Sequence, residues 1–98
     1  MLNSKQRSKL RSLAQTEEPI GQIGKGGISE AQVKSFSDAI KKRELIKITV
    51  LNNTEDDAFT LGENLANSLQ AELVEVIGHK IVLYKPNKDK PSEKRIKI

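Results

Sequence analysis

Apolar positions along this 98-residue chain recur at two spacings, and the changes of spacing divide it into seven segments. Leu10, Leu13 and Ala14 fall on one face of a helix predicted over residues 3–15, with Asn3 or Ser4 as its cap. Pro19, Ile20 and Ile23 suit a short strand, with proline at its first position rather than its middle. Val33, Phe36 and Ile40 recur at i, i+3 and i+7, which predicts a second helix over 29–43. Ser29 with Gln32 makes a capping box for it, and Ile28 with Val33 a hydrophobic staple.

The spacing then drops to two. In Leu45–Leu51, Ile46, Ile48 and Val50 share one strand face, with Lys47 and Thr49 on the other. Asn52-Asn53-Thr54 reads as a turn. Ala58, Leu61, Leu65 and Leu69 predict a third helix over about 55–70, with Thr54 and Asp57 as a capping-box-like start. Gly62, inside that helix, is disfavoured by about 1 kcal/mol against alanine, so it marks a close approach to the sheet. Residues 72–77 and 80–85 form a hairpin about Gly78-His79, where glycine first suits a type II′ turn. Ile81-Val82-Leu83 is almost continuously apolar, which predicts cover on both faces of that strand. Pro86 ends it. The expected fold is α+β in the order α-β-α-β-α-β-β, a two-layer sandwich of about four mixed strands and three helices, with a KH-like GxxG loop.

Composition narrows the class. The length allows one domain, expected over residues 1–86. There is no cysteine, hence no disulfide framework or thiol nucleophile. No apolar run reaches the roughly 18 residues that span a bilayer, and Met1 to Arg11 has no apolar signal core, so a cytoplasmic protein without a membrane partner is expected. The net charge is +4 and unevenly placed: residues 85–98 hold six basic and two acidic residues, and 1–84 balance. Residues 87–98 show no core-forming pattern and read as a basic flexible tail. Glu55, Asp56 and Asp57 crowd a helix start, where they offset the dipole rather than build a metal site. Lys41, Lys42 and Arg43 do the same at a helix end.

The candidate chemistry lies in Gly24-Lys25-Gly26-Gly27, between the first strand and the second helix. Three glycines allow another backbone to come close, and Lys25 beside a helix start suits a phosphate. A tight strand-to-helix turn explains the same glycines equally well. On the first helix, Lys5 and Lys9, and Arg7 and Arg11, are like-charged pairs four apart, an arrangement that repels unless an anion faces it. His79 and Lys80 are candidates for a phosphate or base contact at the hairpin turn. Neither a P-loop nor a dinucleotide fingerprint fits, because glycine follows Lys25 and Ser29 stands where the third glycine belongs. One histidine and no paired acids near the loop leave no acid–base couple, so no enzyme, small-molecule substrate or cofactor is expected. Aromatics are few. Phe36 and Phe59 are assigned to their helices' buried faces, which argues against base stacking and for recognition through RNA backbone and shape.

Lys5-Gln6, Leu10-Arg11, Leu13-Ala14, Pro19-Ile20, Gln22–Ile28, Arg43–Lys47, Val76-Ile77-Gly78 and Ile81–Tyr84 resemble the CRM (chloroplast RNA splicing and ribosome maturation) domain, in its stand-alone bacterial YhbY-type form. The resemblance covers about residues 2–86. It implies a fold related to the C-terminal domain of a translation initiation factor, RNA binding through Gly24–Gly27 with the first helix on the same surface, and association with large-subunit ribosomal precursors. His79-Lys80 departs from the family at a turn where arginine is common. The expectation is a monomeric, non-enzymatic protein that binds large-subunit ribosomal RNA. The alternative is a module that docks on a ribosomal or regulatory protein through its acidic third helix.

Overall fold

The computed structural model describes residues 2–52 and 54–98. Its elements are α1 (Ser4–Ala14), β1 (Gln22–Ile23), α2 (Glu30–Arg43), β2 (Leu45–Val50), α3 (Ala58–Leu69), β3 (Glu72–Ile77) and β4 (Lys80–Tyr84), followed by a 3-10 turn, Ser92–Lys94. The expected order and class hold. The strands form one mixed sheet in the order β1-β2-β4-β3. β1 runs parallel to β2, and β4 is antiparallel to both of its neighbours. β1, β2 and β3 therefore all end at one rim.

The layering differs from the two-layer expectation. Ile23, Ile46, Ile48, Ile81 and Leu83 pack on one sheet face against Phe36 and Ile40 of α2 and Leu61 and Leu65 of α3. Leu45, Val74, Val82 and Tyr84 pack on the other against Leu10 and Ala14 of α1. The sheet is thus sandwiched between α1 and the α2/α3 pair. Ile81, Val82, Leu83 and Tyr84 are all buried, so both faces of β4 need cover. Full burial of Leu10 contributes roughly 1.5–3 kcal/mol toward holding α1 in place. Leu13, grouped with it by spacing, lies outside the contact at 38% exposure.

Helix starts follow local chemistry. Asn3 and Gln6 form a capping box on α1, as Ser29 and Gln32 do on α2. For α3 the expected start is corrected. Asp57 is the cap, accepting from the Thr60 amide at 2.7 Å, and the Thr54 hydroxyl instead donates to the carbonyls of Leu51 and Asp56. The Asp57 carboxyl is held below its usual range by that amide and by the Thr60 hydroxyl. Asn53, in the predicted turn, lies outside the described residues.

Helix ends are closed from a distance. The ammonium groups of Lys47, Lys85 and Lys90 donate to carbonyls in the last turns of α1, α3 and α2 respectively, at Ala14, Leu69 and Lys42. Each places a cation on the negative end of a helix dipole. Gly62 has the expected role: a Cβ there would lie 3.1 Å from Leu73 Cδ1. Of the hairpin pair only Gly78 has positive φ, as a type II′ turn requires.

β3 carries a bulge at Val74, between the Leu73–Leu83 and Glu75–Val82 pairs. The bulge reverses the side-chain alternation, so Leu73 and Val76 both face α2 and α3, with Val74 turned toward α1. Residues 87–98 make contacts that their sequence pattern did not suggest. The Asn87 and Ile96 amides donate to the two carboxylate oxygens of Glu44, and Ile96 packs against the cluster that contains Leu10 and Tyr84.

Candidate nucleic-acid interface

Gly24–Gly27 is a closed four-residue turn. The Gly27 amide donates to the Gly24 carbonyl at 2.9 Å, with Lys25 and Gly26 exposed at its tip. Both flanks of the turn are fixed. On the strand side, the Leu51 amide donates to the Ile23 carbonyl at 2.9 Å. On the helix side, the Gln32 side chain accepts from the Ser29 amide and donates through Nε2 to the Gln22 carbonyl at 2.6 Å, tying the first turn of α2 to β1. Ile28 and Val33 pack on the same core cluster, as the staple required.

The three glycines have different structural reasons. Gly27 sits at φ +74°, a conformation costly for any residue with a Cβ. Gly24 does not: a Cβ there would make an ordinary 3.6 Å contact with Leu51. Gly26 has neither a positive φ nor any atom within 4 Å of where its Cβ would stand. The turn itself therefore requires one of the three.

His79 lies on the same rim, because the Val50 amide donates to its carbonyl at 2.6 Å. Leu51, 38% exposed, stands between the glycine turn and the hairpin turn. Gly78, His79, Leu51 and the acidic run Glu55–Asp57 line one shallow depression there. Lys80 starts β4 beside them, its ammonium donating to Thr49 Oγ1 at 3.1 Å.

The cations of α1 do not act as one group. Arg7 is engaged within the protein: its Nη1 donates to the carbonyls of Leu73 and Val74 at 2.6 and 2.8 Å. Both carbonyls lie at the bulge in β3. Lys5, Lys9 and Arg11 are exposed. The C-terminal end of α1 points to the loop rim, where Ala14 shares a depression with Ile77 and Lys80. Lys5 and Lys9 lie toward the opposite rim, beside Ile98. Two features of the surface were not read from the sequence. Gln32's bridge to β1 was hidden behind its capping role. Phe59, assigned to a buried face, is 55% exposed, since the core stripe of α3 passes through Leu61, Leu65 and Leu69 instead. Among the described residues no three His, Cys, Asp or Glu side chains gather as a metal site, and no helix is long and apolar enough to cross a membrane.

These features define a small α+β domain that presents a glycine turn with one lysine beside a parallel strand end. The CRS1 / YhbY (CRM) domain profile matches residues 2–85, and the chain belongs to that family. It is 44% identical over 89 residues to "Probable RNA-binding protein YqeI" of Bacillus subtilis, covering 91% of this chain and 93% of that one. It is 37% identical over 87 residues to "Probable RNA-binding protein MJ0652" of Methanocaldococcus jannaschii, covering 87% of this chain and 64% of that one. The solution structure of SAV1595 from Staphylococcus aureus superposes with a TM-score of 0.79 at 46% identity, over 98% of both chains.

Proposed function

We propose that this protein binds RNA through the Gly24–Gly27 turn, as a non-enzymatic monomer acting in the cytoplasm on large-subunit ribosomal RNA during ribosome assembly. The carrying observation is that the turn's own backbone requires only Gly27, which leaves the bareness of Gly24 and Gly26 to be explained by something outside the protein. A sugar–phosphate backbone is a fitting visitor. It can lie against Gly26 without meeting a Cβ, with Lys25 beside it as a mobile counter-charge. The N-terminus of α2 adds little, because Ser29 and Gln32 already satisfy its end and Glu30 occupies its first turn. The relatives named above as RNA-binding proteins support the choice of RNA.

The test is Lys25→Asp, which keeps every loop glycine and reverses the one charge at the tip. Binding to large-subunit ribosomal RNA is measured for both proteins across a salt series, alongside thermal melts. A variant that melts normally and loses at least about tenfold in affinity supports the clamp. One that melts normally and binds undiminished leaves Gly24–Gly27 as a turn only. The docking alternative draws on the exposure of Phe59 and Ile77, 55% and 61%. It predicts a partner whose affinity barely responds to salt, whereas RNA binding weakens steeply.

A further inference from the structure

Glu44 is fully buried, at 0% exposure, yet it stands at φ +65° between the end of α2 and the start of β2. A non-glycine residue in that conformation is strained, and a buried carboxylate is costly unless hydrogen-bonded. What Glu44 holds is residues 87–98. Its Oε2 accepts the Asn87 amide at 2.7 Å and its Oε1 the Ile96 amide at 2.9 Å. The segment between is cross-braced, with Asn87 Nδ2 on the Lys41 carbonyl and Arg95 on the carbonyls of Lys88 and Lys90. Five of these twelve residues are basic and two acidic.

The last residues lie along the first half of α1. Ile96 packs on the cluster of Leu10 and Tyr84, and Ile98 lines a surface depression with Lys5, Ser8, Lys9 and Ser12. Lys97, between the two isoleucines, is exposed, as are Lys94, Lys5 and Lys9. The fold thus brings a basic segment against a helix face that already carries like charges at i and i+4, an arrangement that works against stability. This assembly sits at the rim opposite the glycine turn, with the length of the sheet between them. Six residues of β3 span roughly 20 Å.

We propose that Lys5 and Lys9 of α1, joined by Lys97 of the segment that Glu44 grips, form a second polyanion-binding surface that engages the same RNA as the glycine turn at a separate point. This rests on the RNA-binding reading above. Glu44 is a positioning residue that touches no RNA.

The experiment compares four full-length variants with the wild type: Lys5→Ala/Lys9→Ala/Lys97→Ala, a charge-matched control Lys34→Ala/Lys41→Ala/Lys42→Ala, Glu44→Gln, and Lys25→Asp. Each is melted, titrated with large-subunit ribosomal RNA across a salt series, and eluted from heparin. The first triple variant is expected to melt normally, lose about tenfold in affinity, and flatten the dependence of log K on log salt by about 2, the share of three phosphate contacts. The control is expected to lose less than about twofold. Glu44→Gln adds a net positive charge but puts an amide NH2 where a carboxylate oxygen accepted an amide, so it should bind RNA more weakly despite the added charge. Equal losses from the two triple variants would overturn the proposal, as would a Glu44→Gln protein that binds RNA as well as wild type with residues 87–98 released. Release is read as faster proteolysis after Lys88. If wild type binds no RNA, the RNA reading itself fails. The heparin elution of the two triple variants then still decides whether this face binds polyanions.

Discussion

The guanidinium of Arg7 closes the bulge at Val74, donating to the Val74 carbonyl at 2.8 Å and to the preceding carbonyl at 2.6 Å. A cation that the spacing of charges assigned to a phosphate is thereby a structural brace between α1 and β3. Arg7→Ala should lower stability by about 1.5–3 kcal/mol, the usual scale for losing hydrogen bonds from a charged group to part-buried acceptors. Lysine, lacking the planar fork, should not restore it. Chemical denaturation of the three proteins checks this, and RNA affinity at a temperature where all are folded should change little.

The loop glycines should separate. Gly26→Ala should leave stability unchanged or raise it by about 0.4–1 kcal/mol, through lost freedom in the unfolded chain, while weakening RNA binding. Gly27→Ala should cost about 1–2 kcal/mol because of its φ of +74°. Thermal melts paired with RNA titration would show whether the two effects part company in this way.

Gly62→Ala sets two effects against each other. Alanine gains about 1 kcal/mol of helix propensity, but its Cβ would stand 3.1 Å from Leu73 Cδ1 and 3.4 Å from Ile81 Cγ2. Overpacking at such a site costs about 1–3 kcal/mol, so the variant should be net destabilised by about 1 kcal/mol, read from its denaturation midpoint.

Tyr84 gives the protein an alkaline limit. Burial pushes its phenol above the ordinary value of 10.0, the Glu44 carboxylate adds to the rise, and Arg95 opposes it. The folded state therefore holds this proton more tightly than the unfolded chain does. The resulting stability is fully present below about pH 10 and is lost as pH rises beyond, through the folded value. Lysines titrate in the same range, so the informative measurement is the difference in stability between wild type and Tyr84→Phe. That difference should move in favour of the phenylalanine protein as the solution passes pH 10.

What the sequence made legible was local. The cap at Asn3, the capping box at Ser29, the alternation in Leu45–Val50 and the glycine of the hairpin each involve residues a few positions apart. What it concealed was long-range. Arg7 meets its acceptors across 66 and 67 positions, and Glu44 its donors across 43 and 52. A backbone amide that seeks a carboxylate leaves no pattern of side chains to read. The bulge left one trace, the three-residue step from Leu73 to Val76 inside a strand whose period should be two. Phe59 was misassigned by residue type. The stripe Ala58, Leu61, Leu65 and Leu69 never included its position.

β1 has two residues and one sheet neighbour, and beside its two ladder pairs with β2 the Ile20, Thr49 and Leu51 amides fasten its flanks. The rung that carries the glycine turn is thus the most lightly fastened part of the sheet. Its amides should exchange with solvent at lower opening free energy than those of β4, which is hydrogen-bonded on both sides. Ile23 of that rung is nonetheless fully buried in the core, so if the turn grips RNA as proposed, one side chain sets how far the grip can open.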